Sequence, residues 1–87
     1  MGNDIKIVVL DRGWVFLGRV RKMEDSIVIT QARNIRRWGT SEGLGQLRRG
    51  PLPGTMHDAS GTVTVPMQAV IFTLDVEDGA WTREIAS

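Results

Sequence analysis

The sequence contains no cysteine and only one histidine, and both shortages limit the metal sites and catalytic groups that the chain can form. Without cysteine the chain can form neither disulfide bonds nor thiolate metal sites. The lone histidine, His57, is followed by Asp58, but no nucleophile motif and no further cluster of metal ligands accompanies the pair. We therefore expect no metal, no cofactor and no enzymatic activity.

The sequence also lacks long hydrophobic runs and a strong net charge. No apolar stretch approaches the roughly 20 residues that a membrane-spanning helix needs, and the first residues do not resemble a signal peptide. A net charge of +1 is too small for a protein that coats DNA or binds a membrane by charge alone. These features predict a soluble, cytoplasmic protein with no membrane partner.

The length of 87 residues fits a single domain, residues 1–87, with a core that is marginal on its own. Residues 3–32 alternate between β-branched runs and turn signals, which predicts a three-stranded antiparallel meander. The turn Asp11-Arg12-Gly13 separates the first two strands, and Gly18 predicts a bulge, a sharp bend or a close backbone approach within the second.

Residues 62–77 predict two more strands, or one long strand bent at Pro66, and residues 78–87 form a tail that docks through Trp81. Residues 69–76 carry more apolar side chains than one sheet face needs, which favours a closed barrel or a subunit interface. We therefore predict an all-β protein with minor α content, a small bent-sheet barrel or roll of about five strands. We also expect it to be a homo-oligomer.

The central segment, residues 33–61, is predicted to be a long loop that contains a short helix ended by Gly50-Pro51. Residues 33–49 include five arginines and one glutamate, whereas residues 75–84 include four acidic residues and one arginine. A loop this long in a small domain is usually functional or disordered. Its apolar residues, such as Trp38 and Leu47, argue against disorder.

The arginines, glycines and tryptophan of this loop predict a site for a phosphorylated nucleotide. Arg36, Arg37 and Arg33 would hold phosphates, Trp38 would stack on a base or ribose, and the glycines and hydroxyls would supply an amide nest. The candidate binding residues are Arg33, Asn34, Arg36, Arg37, Trp38, Gly39, Thr40, Ser41, Gly43, Leu44, Gly45 and His57.

Alternatives to this site remain open at this point. The glycine spacing matches neither the P-loop nor the dinucleotide fingerprint, and the alternative interpretation is a tight turn with Trp38 in the core. His57 is interpreted as a turn or capping residue, a ligand contact, or a catalytic base.

The segments Leu10-Asp11-Arg12-Gly13, Gly18-Arg19-Val20 and Ile27-Val28-Ile29 resemble the first motif of Sm-like proteins. That resemblance covers the first third of the chain and implies a bent-strand barrel that closes into rings and binds single-stranded RNA. The second Sm motif is not recognisable, and the insertion at residues 33–61 departs from the family.

A fuller resemblance, over residues 6–81, is to a family of small phage and prophage proteins of uncharacterised domain type. The matching segments are Leu10-Asp11-Arg12-Gly13-Trp14-Val15-Phe16, Ala32-Arg33-Asn34-Ile35-Arg36-Arg37-Trp38-Gly39-Thr40, Gly43-Leu44-Gly45, Val65-Pro66 and Ala69-Val70-Ile71-Phe72. Some small phage proteins are nucleotide sponges, compact oligomers that sequester immune signals in the host cytoplasm.

Together these features predict a phage-type counter-defence protein that sequesters a cyclic nucleotide or ADP-ribose derivative without cleaving it. The alternative is a macromolecular binder, either an Sm-like RNA-binding ring or an inhibitor of a host defence nucleoprotein. A nucleotide phosphodiesterase assisted by His57 ranks third.

Overall fold

The computed structural model describes residues 5–41 and 43–86, which form one five-stranded antiparallel sheet. The strands are β1 (Ile5–Leu10), β2 (Val15–Lys22), β3 (Ser26–Arg37), β4 (Met56–Pro66) and β5 (Val70–Asp75). Their order across the sheet is β4-β3-β2-β1-β5. The only α-helix in these residues is α1, Thr82–Ala86. The predicted all-β fold of about five strands is therefore confirmed.

The predicted meander forms from β1, β2 and β3, each strand pairing antiparallel with the next. The turn between β1 and β2 is a short 3₁₀ helix, Asp11–Gly13, in which Arg12 and Gly13 both have positive φ. Glycine adopts that conformation without steric strain, which explains its position at the end of the turn. The first two residues of the predicted meander, Asn3 and Asp4, lie outside the described residues.

Gly18 lies where the backbones of β2 and β3 approach closely, which is one of the predicted alternatives. A Cβ atom at this position would come within 2.6 Å of the Ile29 side chain and 2.8 Å of the Thr30 carbonyl oxygen. The pairing register shifts between Leu17 and Arg19, opposite Gln31, whose φ is 52°. Such a bulge bends a strand and strengthens its twist.

The sheet buries a hydrophobic core on each face. One core contains Val8, Leu10, Ile27, Ile29, Ala32 and Val65, and Phe16 and Val20 of β2 pack against it. The other core contains Ile5, Ile7, Val15, Leu17, Ile35, Leu44, Leu47, Val76, Trp81 and Ile85.

The second of these cores is covered by the central loop and the carboxyl-terminal segment. The loop contains a 3₁₀ helix, Leu44–Arg49, which we call the loop helix. Trp81 is completely buried, and its indole N–H donates a 2.7 Å hydrogen bond to the carbonyl oxygen of Leu47. The predicted docking of the tail through Trp81 is what joins the loop helix to α1.

The loop is shorter than the predicted segment 33–61, because the strands on both sides continue further. Residues 33–37 belong to β3, and residues 56–61 belong to β4, where Ile35 pairs with His57. The sequence pattern of residues 57–61 favoured a turn, but these residues pair with β3. Register shifts accommodate the irregular positions, and the pairing of β3 with β4 continues beyond them. The loop proper spans residues 38–55.

Residues 62–77 contain the end of β4 and all of β5, so they form two strands rather than one bent strand. Pro66 ends β4, and a 3₁₀ helix, Met67–Ala69, leads into β5. Proline is tolerated there because β4 lies at an edge of the sheet. No helix among the described residues is long and apolar enough to cross a bilayer.

Candidate functional site

A bulge near the end of β3 places two arginines side by side. Ile35 pairs with His57 and Arg37 pairs with Met56, so β3 advances two residues where β4 advances one. Successive strand residues point to opposite faces, and paired residues share a face. Arg36 and Arg37 therefore lie on the same face of the sheet, opposite to Ile35 and His57. A regular strand would have separated them.

Two aromatic side chains lie on this same face. Phe16 pairs with Asn34, so Trp14, two residues earlier on the antiparallel strand, lies level with Arg36. Trp14 precedes β2, and its backbone is extended, with φ −71° and ψ 133°. Its ring stacks on that of Phe16 with 6.2 Å between centroids and 11° between planes.

A third aromatic residue, Trp38, follows Arg37 directly. The side chains of Trp14 and Trp38 are 55% and 41% exposed, which is high for tryptophan in a folded domain. Trp38 therefore is not a core residue. We call the set Trp14, Phe16, Arg36, Arg37 and Trp38 the basic–aromatic surface.

The two arginines of this surface differ in their partners. Arg36 forms an ion pair with Asp58, which lies opposite Asn34 in the register of β3 and β4. Arg37 makes no side-chain hydrogen bond or ion pair with any of the described residues. The amide of Asn34 donates a 3.3 Å hydrogen bond to the Val15 carbonyl oxygen and so joins β3 to β2.

The neck of the loop lies next to Trp38. Thr55 joins the two ends of the loop, because its hydroxyl donates a 2.6 Å hydrogen bond to the Trp38 carbonyl oxygen and accepts one from the Leu52 amide. Gly39 has a φ of 68°, and a Cβ atom there would lie 2.3 Å from the backbone of Gly54. The predicted glycine is thus required by the close approach of two backbone segments.

Part of the predicted amide nest beyond Gly39 already forms a hydrogen bond within the loop. The Ser41 amide donates a 2.7 Å hydrogen bond to the side-chain oxygen of Gln46, so a phosphate would have to displace Gln46. Thr40 is half-buried, and Gly43 is exposed with a φ of 99°. Leu44 is buried in the core under the loop helix, where it contributes packing.

Arg33 and His57 lie together on the opposite face of the sheet. Arg33 donates a 2.7 Å hydrogen bond from Nε to Nδ1 of His57 and a 3.2 Å bond from Nη1 to the Glu84 carbonyl oxygen of α1. The His57 ring meets the buried Trp81 edge to face, with centroids 5.5 Å apart. This group joins the sheet to α1.

The environment of His57 keeps its imidazole neutral. Partial burial lowers the pKa of His57 below its ordinary value of 6.5, and the Arg33 guanidinium lowers it further. Glu84 and Asp58 raise it, but less strongly. Because Nδ1 accepts a hydrogen bond from Arg33, the proton of the neutral ring lies on Nε2.

One cavity of the described residues, about 350 Å³, lies beside the loop helix. It is lined by Gly45, Gln46, Arg48, Arg49, Leu52 and Glu77. Of the predicted binding residues only Gly45 lines it, and its charged residues are engaged, since Arg49 pairs with Glu77 and Arg48 donates to the Asp75 carbonyl oxygen.

The structure thus divides the predicted site. Arg36 and Arg37 lie on one face of the sheet and Trp38 follows them in the chain. Arg33, His57 and Leu44 belong instead to the face that the loop helix and the tail cover. Sequence reasoning missed Trp14 and Phe16, whose relevance depends on the β2–β3 register. The described residues contain no group of three or more metal-ligating side chains. No protein-family model matches this chain, and no curated protein matches it.

Proposed function

We propose that this protein binds a phosphorylated nucleotide on the basic–aromatic surface and does not cleave it. The observation that supports this most directly is the bulge at Arg36, which sets Arg36 and Arg37 beside the stacked Trp14 and Phe16 rings. A nucleotide offers a planar base and an anionic phosphate. Exposed aromatic rings and guanidinium groups are the side chains that bind these two parts.

The residues of the surface have different roles in this proposal. Arg37 binds a phosphate, because its guanidinium is exposed and has no partner among the described residues. Arg36 is positioned by Asp58 and adds a second, partly neutralised contact. Trp38 and Trp14 each present an exposed ring to a base or ribose.

The position of His57 argues against cleavage of the ligand. It lies on the face opposite to Arg36 and Arg37, and its Nδ1 already accepts a hydrogen bond from Arg33. General acid–base catalysis requires a group within hydrogen-bond reach of the reacting atoms. We therefore place His57 outside the binding surface and retain sequestration, rather than hydrolysis, as the proposed activity.

The phage-family resemblance suggests the biological setting of this activity. In that setting the ligand is a signalling nucleotide of host immunity, a cyclic nucleotide or an ADP-ribose derivative, and the protein is a homo-oligomer in the host cytoplasm. Retention of the signal suppresses the defence that it triggers.

A second candidate ligand is single-stranded nucleic acid. Trp14 lies level with Arg36 on the neighbouring strand, Trp38 follows Arg37 in the chain, and both tryptophans are exposed. Such an arrangement suits successive nucleotides of one strand. Binding of a strand weakens steeply as salt rises, whereas binding of one small nucleotide weakens less.

The test is calorimetric titration with a cyclic dinucleotide, ADP-ribose and a short single-stranded RNA, each at low and moderate salt. Arg37→Ala should weaken binding by about 1.5–3 kcal/mol through loss of a charge-assisted hydrogen bond. Arg21→Ala, which removes an exposed arginine of β2 outside the surface, is the matched control. Unchanged affinity in both Arg36→Ala and Arg37→Ala would refute the assignment of the surface.

Native mass spectrometry of protein purified from cells that make nucleotide signals identifies the ligand. A small adduct that is released intact on denaturation supports sequestration of a signal. Binding of RNA alone shifts the assignment to the second candidate, and an adduct released in altered form would contradict the absence of cleavage.

A further inference from the structure

The two edge strands of the sheet differ in how they are protected. At one edge, β4 carries Asp58, ends at Pro66 and contains several register shifts against β3. At the other edge, β5 has no charged residue before Asp75 and no proline, and its one register shift against β1 lies at Ile71, near the start of the strand. Charges, prolines and bulges are the features by which natural edge strands avoid further pairing. By this criterion β5 is less protected than β4, and least so from Phe72 onward.

The exposed side chains of β5 are large and apolar. Ile71 is 61% exposed and Phe72 is 47% exposed, although both belong to a strand of the sheet. Large apolar side chains that lie exposed next to each other on an edge strand indicate a surface that contacts another molecule rather than water. The exposed part of β4 near its centre consists instead of small and polar residues, Ala59 to Thr62.

The backbone of β5 also offers hydrogen bonds on its outer side. The carbonyl oxygen of Asp75 accepts a 2.6 Å hydrogen bond from Nε of Arg48 in the loop helix, so this carbonyl points away from β1. Backbone groups alternate in direction along an antiparallel strand, so the amide and carbonyl of Thr73 point outward as well. No strand of the described residues lies on that side.

We propose that β5 pairs with β5 of a second copy of this chain, antiparallel about a two-fold axis close to Thr73. The pairing joins two five-stranded sheets into one continuous sheet and covers Ile71 and Phe72 of both copies. The interface does not depend on the nucleotide-binding proposal, because Arg36, Arg37 and Trp38 lie outside β5.

The charges of the strand fit pairing with an identical copy. Asp75 is the only charged residue of β5, and its carboxylate is already paired with Lys6 of β1. In this register each Asp75 lies opposite Ile71 of the other copy and Phe72 lies opposite Leu74, so the two like charges do not meet. Arg48 already occupies the Asp75 carbonyl oxygen, so the backbone hydrogen bonds of the pair centre on Thr73. A two-fold interface closes after two copies, which predicts a dimer.

The absence of cysteine provides a direct test, because a single introduced cysteine is the only thiol of the chain. Thr73→Cys should form a disulfide-linked dimer under mild oxidation, since residues close to a two-fold axis face their own copies within disulfide range. Thr64→Cys, also an exposed threonine but on β4, is the matched control and should stay monomeric on a non-reducing gel.

Light scattering tests the same interface without a cysteine. The wild-type chain should have twice the mass of the 9.7 kDa monomer, and Phe72→Lys, which places a charge opposite Leu74 of the other copy, should weaken the dimer at least tenfold. Met56→Lys, another exposed apolar residue but at the other edge, should leave the dimer intact. Circular dichroism of both variants establishes that they are folded.

Two results would overturn the proposal. One is a wild-type protein that is monomeric at all concentrations while Thr73→Cys fails to cross-link. The other is cross-linking only when Thr73→Cys and Thr64→Cys are mixed, which would show β5 paired with β4 of the next copy. Arg37→Ala should leave the mass unchanged, so a loss of nucleotide binding and a loss of dimers can be told apart.

Discussion

Arg33 and Arg37 lie four residues apart on one strand, yet they have opposite environments. Arg33 is half-buried between β4 and α1, where it bonds to His57 and to the Glu84 carbonyl oxygen. Arg37 is exposed, beside Trp38, and has no side-chain partner among the described residues. Charge density along the sequence is therefore a poor guide to a binding site. The face of the sheet decides which arginine is structural and which is available.

The same division holds for the tryptophans. Trp81 is fully buried and joins the loop helix to the tail, whereas Trp14 and Trp38 are 55% and 41% exposed. An exposed tryptophan forgoes much of the free energy that its burial would contribute. Two exposed tryptophans beside two arginines are consistent with a surface that serves binding rather than stability.

The largest expected effect is the difference in free energy of unfolding between Trp81→Ala and Trp38→Ala. Trp81→Ala should lower the free energy of unfolding by about 3–5 kcal/mol, because it opens a cavity in the covered core and removes one of the two hydrogen bonds that the Leu47 carbonyl oxygen accepts. Trp38→Ala should change it by about 0.5 kcal/mol or less, because its side chain is exposed. Urea unfolding followed by circular dichroism measures both.

A milder variant keeps this comparison informative if Trp81→Ala does not fold. Trp81→Phe retains most of the apolar volume and removes the indole N–H, so it should destabilise by about 1–3 kcal/mol. Equal destabilisation in the Trp81 and Trp38 variants would show that the two tryptophans are not divided between packing and binding.

A second, smaller effect is expected at the neck that separates the surface from the covered loop. Gly39→Ala combines a positive φ with a Cβ atom 2.3 Å from the Gly54 backbone. Gly61→Ala shares nearly the same φ, 69°, but its Cβ would meet no atom within 4 Å. Gly61→Ala should cost about 1–2 kcal/mol for the backbone alone, and Gly39→Ala about 1–3 kcal/mol more for the overlap.

Thermal or urea unfolding of the two glycine variants decides the point. If both are destabilised equally, the close approach of Gly39 to Gly54 contributes nothing beyond the backbone conformation. If Gly39→Ala also weakens nucleotide binding while Gly61→Ala does not, the neck positions Trp38 for its ligand.

The fold was largely predictable from local patterns, because its signals are local. The alternation in residues 5–30 predicted the meander, and a glycine inside β2 predicted the close backbone approach that Gly18 makes to β3. The docking of Trp81 followed from a large apolar residue in an otherwise polar tail. Each of these depends on side chains that are close in sequence.

The site was less predictable, because its composition depends on register between strands. Nothing local shows that β3 bulges at Arg36, yet that bulge places Arg36 and Arg37 on one face. Trp14 meets Arg36 only through the pairing of Phe16 with Asn34. His57 was interpreted as part of a turn because Gly61 follows closely, whereas β4 continues through both residues.

The smallest expected effect is a pH dependence of stability that arises from His57. Its pKa is lowered in the folded protein by burial and by Arg33, whereas the unfolded chain titrates near the ordinary value of 6.5. The unfolded state therefore binds more protons in this range. The contribution of His57 is fully present above pH 6.5 and is lost as the pH falls through the lowered pKa of the folded state. Protonation also replaces the Arg33 hydrogen bond with repulsion.

His57 is the only histidine, so the slope of unfolding free energy between about pH 7.5 and about pH 5 reports mainly on this group. The wild-type protein should lose stability across this window, and His57→Gln, which keeps a polar side chain but does not titrate, should lose less. Nucleotide binding by Arg37 should be unaffected in His57→Gln, because the two residues lie on opposite faces. A matching slope in both proteins would place the pH sensitivity elsewhere, and a parallel loss of binding would mean that the two faces are coupled through β3.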